Sequence, residues 1–187
     1  MTDASQSPEP SPPGTDARHP RRTLWTFLVW VVVFALDQVT KVLVVANLEP
    51  GVVQPFVGTA LQFHLIRNPG AAFSFATGST WIFTVLAAAV VVVVVRLSRK
   101  LRSTAWALAF GFLLAGATGN LTDRLLREPG FARGHVVDFL QLPHWPIFNV
   151  ADSSICVAAV LIAILAIRGV GLDGTRETRP EKAANDA

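Results

Sequence analysis

The sequence predicts an α-helical membrane protein: four transmembrane helices with a small extracytoplasmic β-sheet, a cradle between spans one and two. Three observations carry that reading. Four apolar runs approach or reach the roughly 20 residues that cross a bilayer. Basic residues crowd one side of those runs, and one connecting segment alternates apolar with polar residues. The 187 residues are 51% hydrophobic and 16% charged, whereas a soluble domain carries about 25% charged residues.

Residues 1–23 are rich in Pro, Ser and acidic side chains and read as a disordered cytoplasmic tail. Span one, 24–45, contains Asp37 and Lys41, and a charge at a helix centre costs about 2.5–3.5 kcal/mol on insertion scales. A plain anchor has no use for them. Its apolar length exceeds the ordinary h-region of about 7–15 residues, so it reads as a retained helix rather than a cleaved signal. The extracytoplasmic segment 46–79 holds the alternating stretch Thr59–Ile66, with Leu61, Phe63 and Leu65 on one face and Gln62 and His64 on the other, the pattern of a half-buried strand. Val52–Phe56 follows a Pro50-Gly51 turn and is placed to pair with it. Span two, 80–95, is short and nearly all Val and Ala; span three covers 103–125. The second extracytoplasmic segment, 126–148, carries Pro143, Trp145, Pro146 and Phe148, a set suited to the headgroup boundary. Span four, 149–167, contains the single cysteine, Cys156, expected to pack as a small hydrophobe. Residues 24–168 thus form one four-span domain, followed by a charged tail, 169–187, read as disordered and cytoplasmic.

The charges set the orientation. Arg18, Arg21 and Arg22 precede span one; Arg96, Arg99, Lys100 and Arg102 fill the turn between spans two and three; Arg168, Arg176, Arg179 and Lys182 follow span four. These are eleven of the sixteen basic residues, so both termini are expected to be cytoplasmic. Asp37 lies roughly 20 Å along its helix at 1.5 Å per residue, in the outer half. Asn120, Asp123 and Arg124 end span three on the outer side, Asn149 and Asp152 open span four there, and Asp138 arrives from the loop just before. The intramembrane and juxtamembrane charges converge on the outer leaflet.

Convergence of carboxylates where water is within reach points to acid/base hydrolysis. One ionised carboxylate takes a proton from water while a protonated one polarises the scissile carbonyl, and close like charges share a proton. Asp138 and Asp152 have no cation at helical spacing, which makes them the pair of choice. Asp37 and Lys41, at i and i+4, read instead as a structural ion pair. His64, His135 and His144 show no metal-ligand spacing. Ser74, Ser153 and Ser154 sit in no nucleophile elbow. A small polytopic transporter, or a non-enzymatic assembly protein using the same outer-leaflet cluster, is the alternative reading. A transporter more often carries ionisable groups at the midplane and repeated halves, and neither pattern is present.

Five stretches then fall into a known order: Asp37-Gln38-Val39-Thr40-Lys41, Asn68-Pro69-Gly70-Ala71-Ala72-Phe73-Ser74, Gly119-Asn120-Leu121-Thr122-Asp123-Arg124, Val136-Val137-Asp138-Phe139 and Phe148-Asn149-Val150-Ala151-Asp152-Ser153. Together they resemble the lipoprotein signal peptidase (signal peptidase II) family, the membrane aspartyl peptidases of bacterial lipoprotein maturation. The resemblance implies that Asp138 and Asp152 are the catalytic pair. It implies that Asn68, Asn120, Arg124 and Asn149 contact substrate or shape the pocket, and that Asp37, Lys41 and Asp123 hold the site together. The implied substrate is a prolipoprotein whose lipobox cysteine carries diacylglycerol, cleaved just before that cysteine, and the resemblance implies no metal or organic cofactor. Membrane lipids are the other expected partners, with no nucleic acid, a monomeric enzyme, and a place in the bacterial cytoplasmic (inner) membrane with the site toward the outer leaflet.

Overall fold

The computed structural model describes residues 22–70 and 80–176. Most of both expected tails, and the Ala71–Ser74 part of the glycine turn, lie outside the described residues. Four helices, α1 (Thr23–Asn47), α2 (Thr80–Ser98), α3 (Thr104–Leu126) and α4 (Val150–Ile167), are long and apolar enough to cross a membrane. Three strands, β1 (Val53–Val57), β2 (Leu61–Asn68) and β3 (Val136–Gln141), form one antiparallel sheet in the order β1-β2-β3. This is a multi-pass membrane protein. Its helices turn Leu24, Phe27, Val32, Val85, Leu86 and Val160 outward, an apolar surface that water would not tolerate and lipid does.

Helix α3 is the hub, packing against α1, α2 and α4, while α1 and α2 barely meet. Small residues explain its position. A Cβ on Gly116 would lie 2.4 Å from the Ala151 carbonyl oxygen, and one on Gly111 would lie 2.6 Å from the Val29 Cβ. In lipid there is little hydrophobic drive between helices, so close backbone approach and dispersion hold them. At the end of the bundle where the basic turns lie, Val94, Leu101, Ala107, Phe110 and Leu114 form one buried cluster. At the opposite end Val44 of α1 packs with Leu65, Val137 and Phe139 and fastens the sheet to the helices.

The expected hairpin is present, with Pro55 on β1, an edge strand, where sheets tolerate proline. The sheet also gains a strand that periodicity did not signal. β3 comes from between α3 and α4, and its first four residues are all buried, so no alternation marks it. It pairs Ile66 with Asp138 and Asn68 with Val136. Two further differences concern α4 and its end. Cys156 faces outward from the bundle rather than packing within it. The chain from residue 169 does not begin a free tail. Gly171 N–H donates to the Thr175 carbonyl (2.8 Å), Arg102 and Ser103 N–H groups donate to the Leu172 carbonyl, and the Trp106 indole donates to the Val170 carbonyl. Its glycines and charges look like a linker in sequence; the backbone groups of the α2–α3 turn supply the partners that order it.

Candidate active site

Helix α4 begins with a capping box. The Asn149 side-chain oxygen accepts from the Asp152 N–H (2.8 Å), and the Asp152 carboxylate accepts from the Asn149 N–H (3.2 Å). The i, i+3 spacing of these two residues is therefore local geometry first. The Asn149 amide nitrogen is left to reach outward, and it donates to Asp138 Oδ1 (2.6 Å) and to Asn120 Oδ1 (3.2 Å). The second Asp138 oxygen accepts from the Asn68 amide (2.7 Å). That bond follows from the register: Asp138 faces Ile66, so Asn68, two residues on, shares its face of the sheet. Asp152 Oδ1 accepts from the Asn120 amide at 2.7 Å. Three asparagines from β2, α3 and the α4 cap thus hold two carboxylates from β3 and α4.

A second layer lies behind. Lys41 Nζ contacts Asp37 (3.0 Å), Asp123 (2.8 Å) and the Asn120 side-chain oxygen (3.1 Å), which uses all three of its protons. The Lys41, Asp37 and Asp123 side chains are each fully buried. Asp37 also accepts from the Ala151 N–H (2.9 Å) and Asp123 from the Val137 N–H (3.2 Å), so α1, α3, α4 and β3 meet at one ion cluster. The cluster orients the first layer. With the Asn120 oxygen turned to the Lys41 cation, its NH₂ group faces Asp152.

Arg124 packs its guanidinium over the Phe83 ring, 5.3 Å from the centroid. One of its terminal nitrogens, Nη1, is buried with no hydrogen-bond partner among the described residues. Burial, and after it the charge of Asp152, push the Asp138 carboxyl up to about 7, against the opposing Asn68 and Asn149 hydrogen bonds and the Lys41 charge. Asp138 is 1% exposed.

The structure brings the nine expected polar residues into one region. It adds Arg127, which ion-pairs with Asp123 four residues earlier, and Gln38, which donates to Asp37 and to the Gly119 carbonyl. The Arg127 spacing was visible in the sequence; the Gln38 contact depends on the α1–α3 crossing and was not. Gly119 is needed there, because a Cβ would stand 2.5 Å from the Asp37 carboxylate. Among the described residues, no group of three or more His, Cys, Asp or Glu side chains is arranged to hold a metal ion.

Four membrane-spanning helices carrying a three-stranded sheet, with one carboxylate of the pair on the sheet and the other at the start of α4, match a class of membrane enzyme. Two solved bacterial membrane enzymes have this fold, each with a TM-score of 0.69: one at 30% identity, covering 76% of this chain and 92% of its own, the other at 29%, covering 82% and 94%. The family profile described as "Signal peptidase (SPase) II" matches residues 29–168. Proteins named lipoprotein signal peptidase from Rhodococcus jostii and Leifsonia xyli are 48% and 51% identical to it. They match over 94% and 80% of this chain and 90% and 70% of their own lengths. The chain belongs to the signal peptidase II family, and is a peptidase.

Proposed function

We propose that this protein removes signal peptides from diacylglyceryl-modified prolipoproteins, cutting just before the lipidated cysteine, with Asp138 and Asp152 as an aspartyl dyad. The observation that carries this reading is Asn149, whose side-chain amide donates to the Asp138 carboxylate and whose backbone N–H donates to the Asp152 carboxylate, while Asp138 is almost wholly removed from solvent. Two carboxylates so linked hold one proton between them near neutral pH. The ionised member takes a proton from a water molecule, whose oxygen adds to the scissile carbonyl. The protonated member polarises that carbonyl and then delivers its proton to the leaving amine. Asn68, Asn120 and Asn149 set the carboxylate positions. The Arg124 guanidinium, with a buried N–H unengaged among the described residues, is placed to bind a substrate carbonyl. Asp37, Lys41 and Asp123 hold the support.

The charge distribution in the sequence favours cytoplasmic termini in the bacterial inner membrane, which puts the dyad and sheet toward the outer leaflet. A substrate anchored by two acyl chains would reach the site by lateral diffusion, and the sheet would help exclude bulk water. Residues 24–168 are the peptidase domain in this reading, and it works as a monomer.

The test is a gel-shift cleavage assay with the purified chain in detergent and a diacylglyceryl-modified prolipoprotein, with and without EDTA. The expected result is chelator-resistant cleavage, reduced by at least about 10³-fold in Asp138→Asn and in Asp152→Asn, the scale of losing an acid/base group. Normal turnover in either variant would remove the dyad from the mechanism, and inhibition by EDTA would move the chemistry to a metal.

A further inference from the structure

The gap between α1 and α2 opens at the basic end of the bundle, away from the carboxylates. Both helices pack on α3 yet barely touch one another. The result is a crevice of about 280 Å³, with Leu114 and Thr118 of α3 as its floor, Phe27 and Trp30 of α1 on one wall and Val91 and Val95 of α2 on the other. Phe27 and Val95 also face outward, so the crevice opens sideways, where acyl chains lie.

One polar atom of its lining is left over, and a second belongs to the residue just before that lining. Thr26 lines the crevice and is 4% exposed, and its hydroxyl has no hydrogen-bond partner among the described residues. A helical threonine ordinarily bonds the carbonyl a turn back; this one does not. Arg22 Nε, one residue before the crevice-lining Thr23, is likewise buried and unpartnered among the described residues. Helix α1 starts at this point with no side-chain capping hydrogen bond among the described residues, and the positive end of its dipole lies there. Arg96, Arg99, Lys100 and Arg102 follow on the neighbouring turn.

An apolar slot, a hydroxyl in its lining, and an arginine at the start of the helix that forms one wall match the three parts of a phospholipid. We propose that this crevice binds one anionic phospholipid. One acyl chain lies along Trp30 and Val91, a glycerol-ester carbonyl accepts the Thr26 hydroxyl, and the phosphate meets Arg22 and the first turn of α1. A signal-peptide helix fits less well. It is about 10 Å across with its side chains, and its n-region is positively charged and would be repelled by the basic end. The inference does not rest on the peptidase chemistry. It needs only that the basic end faces the leaflet where anionic headgroups attract Lys and Arg.

The full chain in mild detergent, given equal amounts of phosphatidylglycerol and phosphatidylcholine with matched acyl chains, should retain one phosphatidylglycerol in native mass spectrometry. Arg22→Gln should weaken that retention about fivefold, the effect of one basic residue near a headgroup. Thr26→Val, nearly isosteric, should weaken it while leaving the melting temperature without lipid unchanged. Val91→Trp should block the slot and remove the adduct. Equal retention of the two lipids, or retention unaffected by Arg22→Gln and Thr26→Val, overturns the proposal. Displacement of the lipid by a synthetic signal-peptide helix would overturn it in favour of a peptide groove.

Discussion

Asn149 spends every polar atom it has: it caps α4, receives the Asp152 carboxylate on its own N–H, and donates to Asp138 and Asn120. Two substitutions separate those tasks. Asn149→Ser keeps a capping oxygen and loses the bridge, so cleavage should fall steeply while the melting temperature changes little. Asn149→Ala loses the cap as well and should cost a further ~1 kcal/mol of stability, seen in thermal melts. Asp138 supplies a pH prediction. Its folded value of about 7 lies above the roughly 3.9 of an unfolded aspartate, so between those limits the folded protein binds more protons than the unfolded one. Stability from this group is therefore lost as pH rises from about 4 to 7, by at most ~4 kcal/mol at 1.36 kcal/mol per unit. Asp138→Asn should flatten the dependence of melting temperature on pH across that window. Cleavage by the wild type should also decline above about pH 7, where the dyad gives up its remaining proton.

Helices α3 and α4 are in contact because glycine and alanine let them be. On Gly116 a Cβ would stand 2.6 Å from both the Ile155 side chain and the Ser154 hydroxyl, in addition to the Ala151 carbonyl. None of these is the free end of a long side chain, so Gly116→Ala must move α4. The expected cost is ~1–3 kcal/mol, the range for overpacking, with a loss of activity larger than the stability change explains, since Asp152 rides on α4. Melting and cleavage measured on the same preparation check both parts. The sheet depends similarly on the helices. β3 is buried through Val136, Val137, Asp138 and Phe139, and the Val137 N–H is held by Asp123 of α3. The hairpin of β1 and β2 was legible from alternation and a Pro-Gly turn. β3 was not, because a strand covered on both faces has no period to read.

Across the whole molecule, the ion cluster around Lys41 is the joint. Its ammonium faces two buried carboxylates, and the elements that carry or contact them include three of the four helices and one strand. Lys41→Met would leave Asp37 and Asp123 facing each other without the cation and should cost ~3–5 kcal/mol, the penalty for breaking a buried pair. Adding Asp37→Asn should recover part of that loss, because Asp123 still has Arg127. Melting temperatures in detergent for the single and double variants measure this. If the double variant were no better than Lys41→Met alone, the cluster would not be acting through uncompensated charge.

The four spans, the hairpin and the crowding of polar residues toward one end of the bundle are legible in the chain alone. Those follow from hydrophobic length, alternation and charge count, which are properties of short stretches of chain. The five motif stretches also mark the family. How the groups meet depends on packing in three dimensions. It joined Asp138 to Asn68 across a strand pair, put Asn149 between two carboxylates, turned the Asn120 amide with a lysine from another helix, and folded residues 169–176 onto the α2–α3 turn. These contacts span up to 79 positions of chain. No local pattern encodes such pairings, because they arise only when separate elements are packed until their buried polar atoms are satisfied.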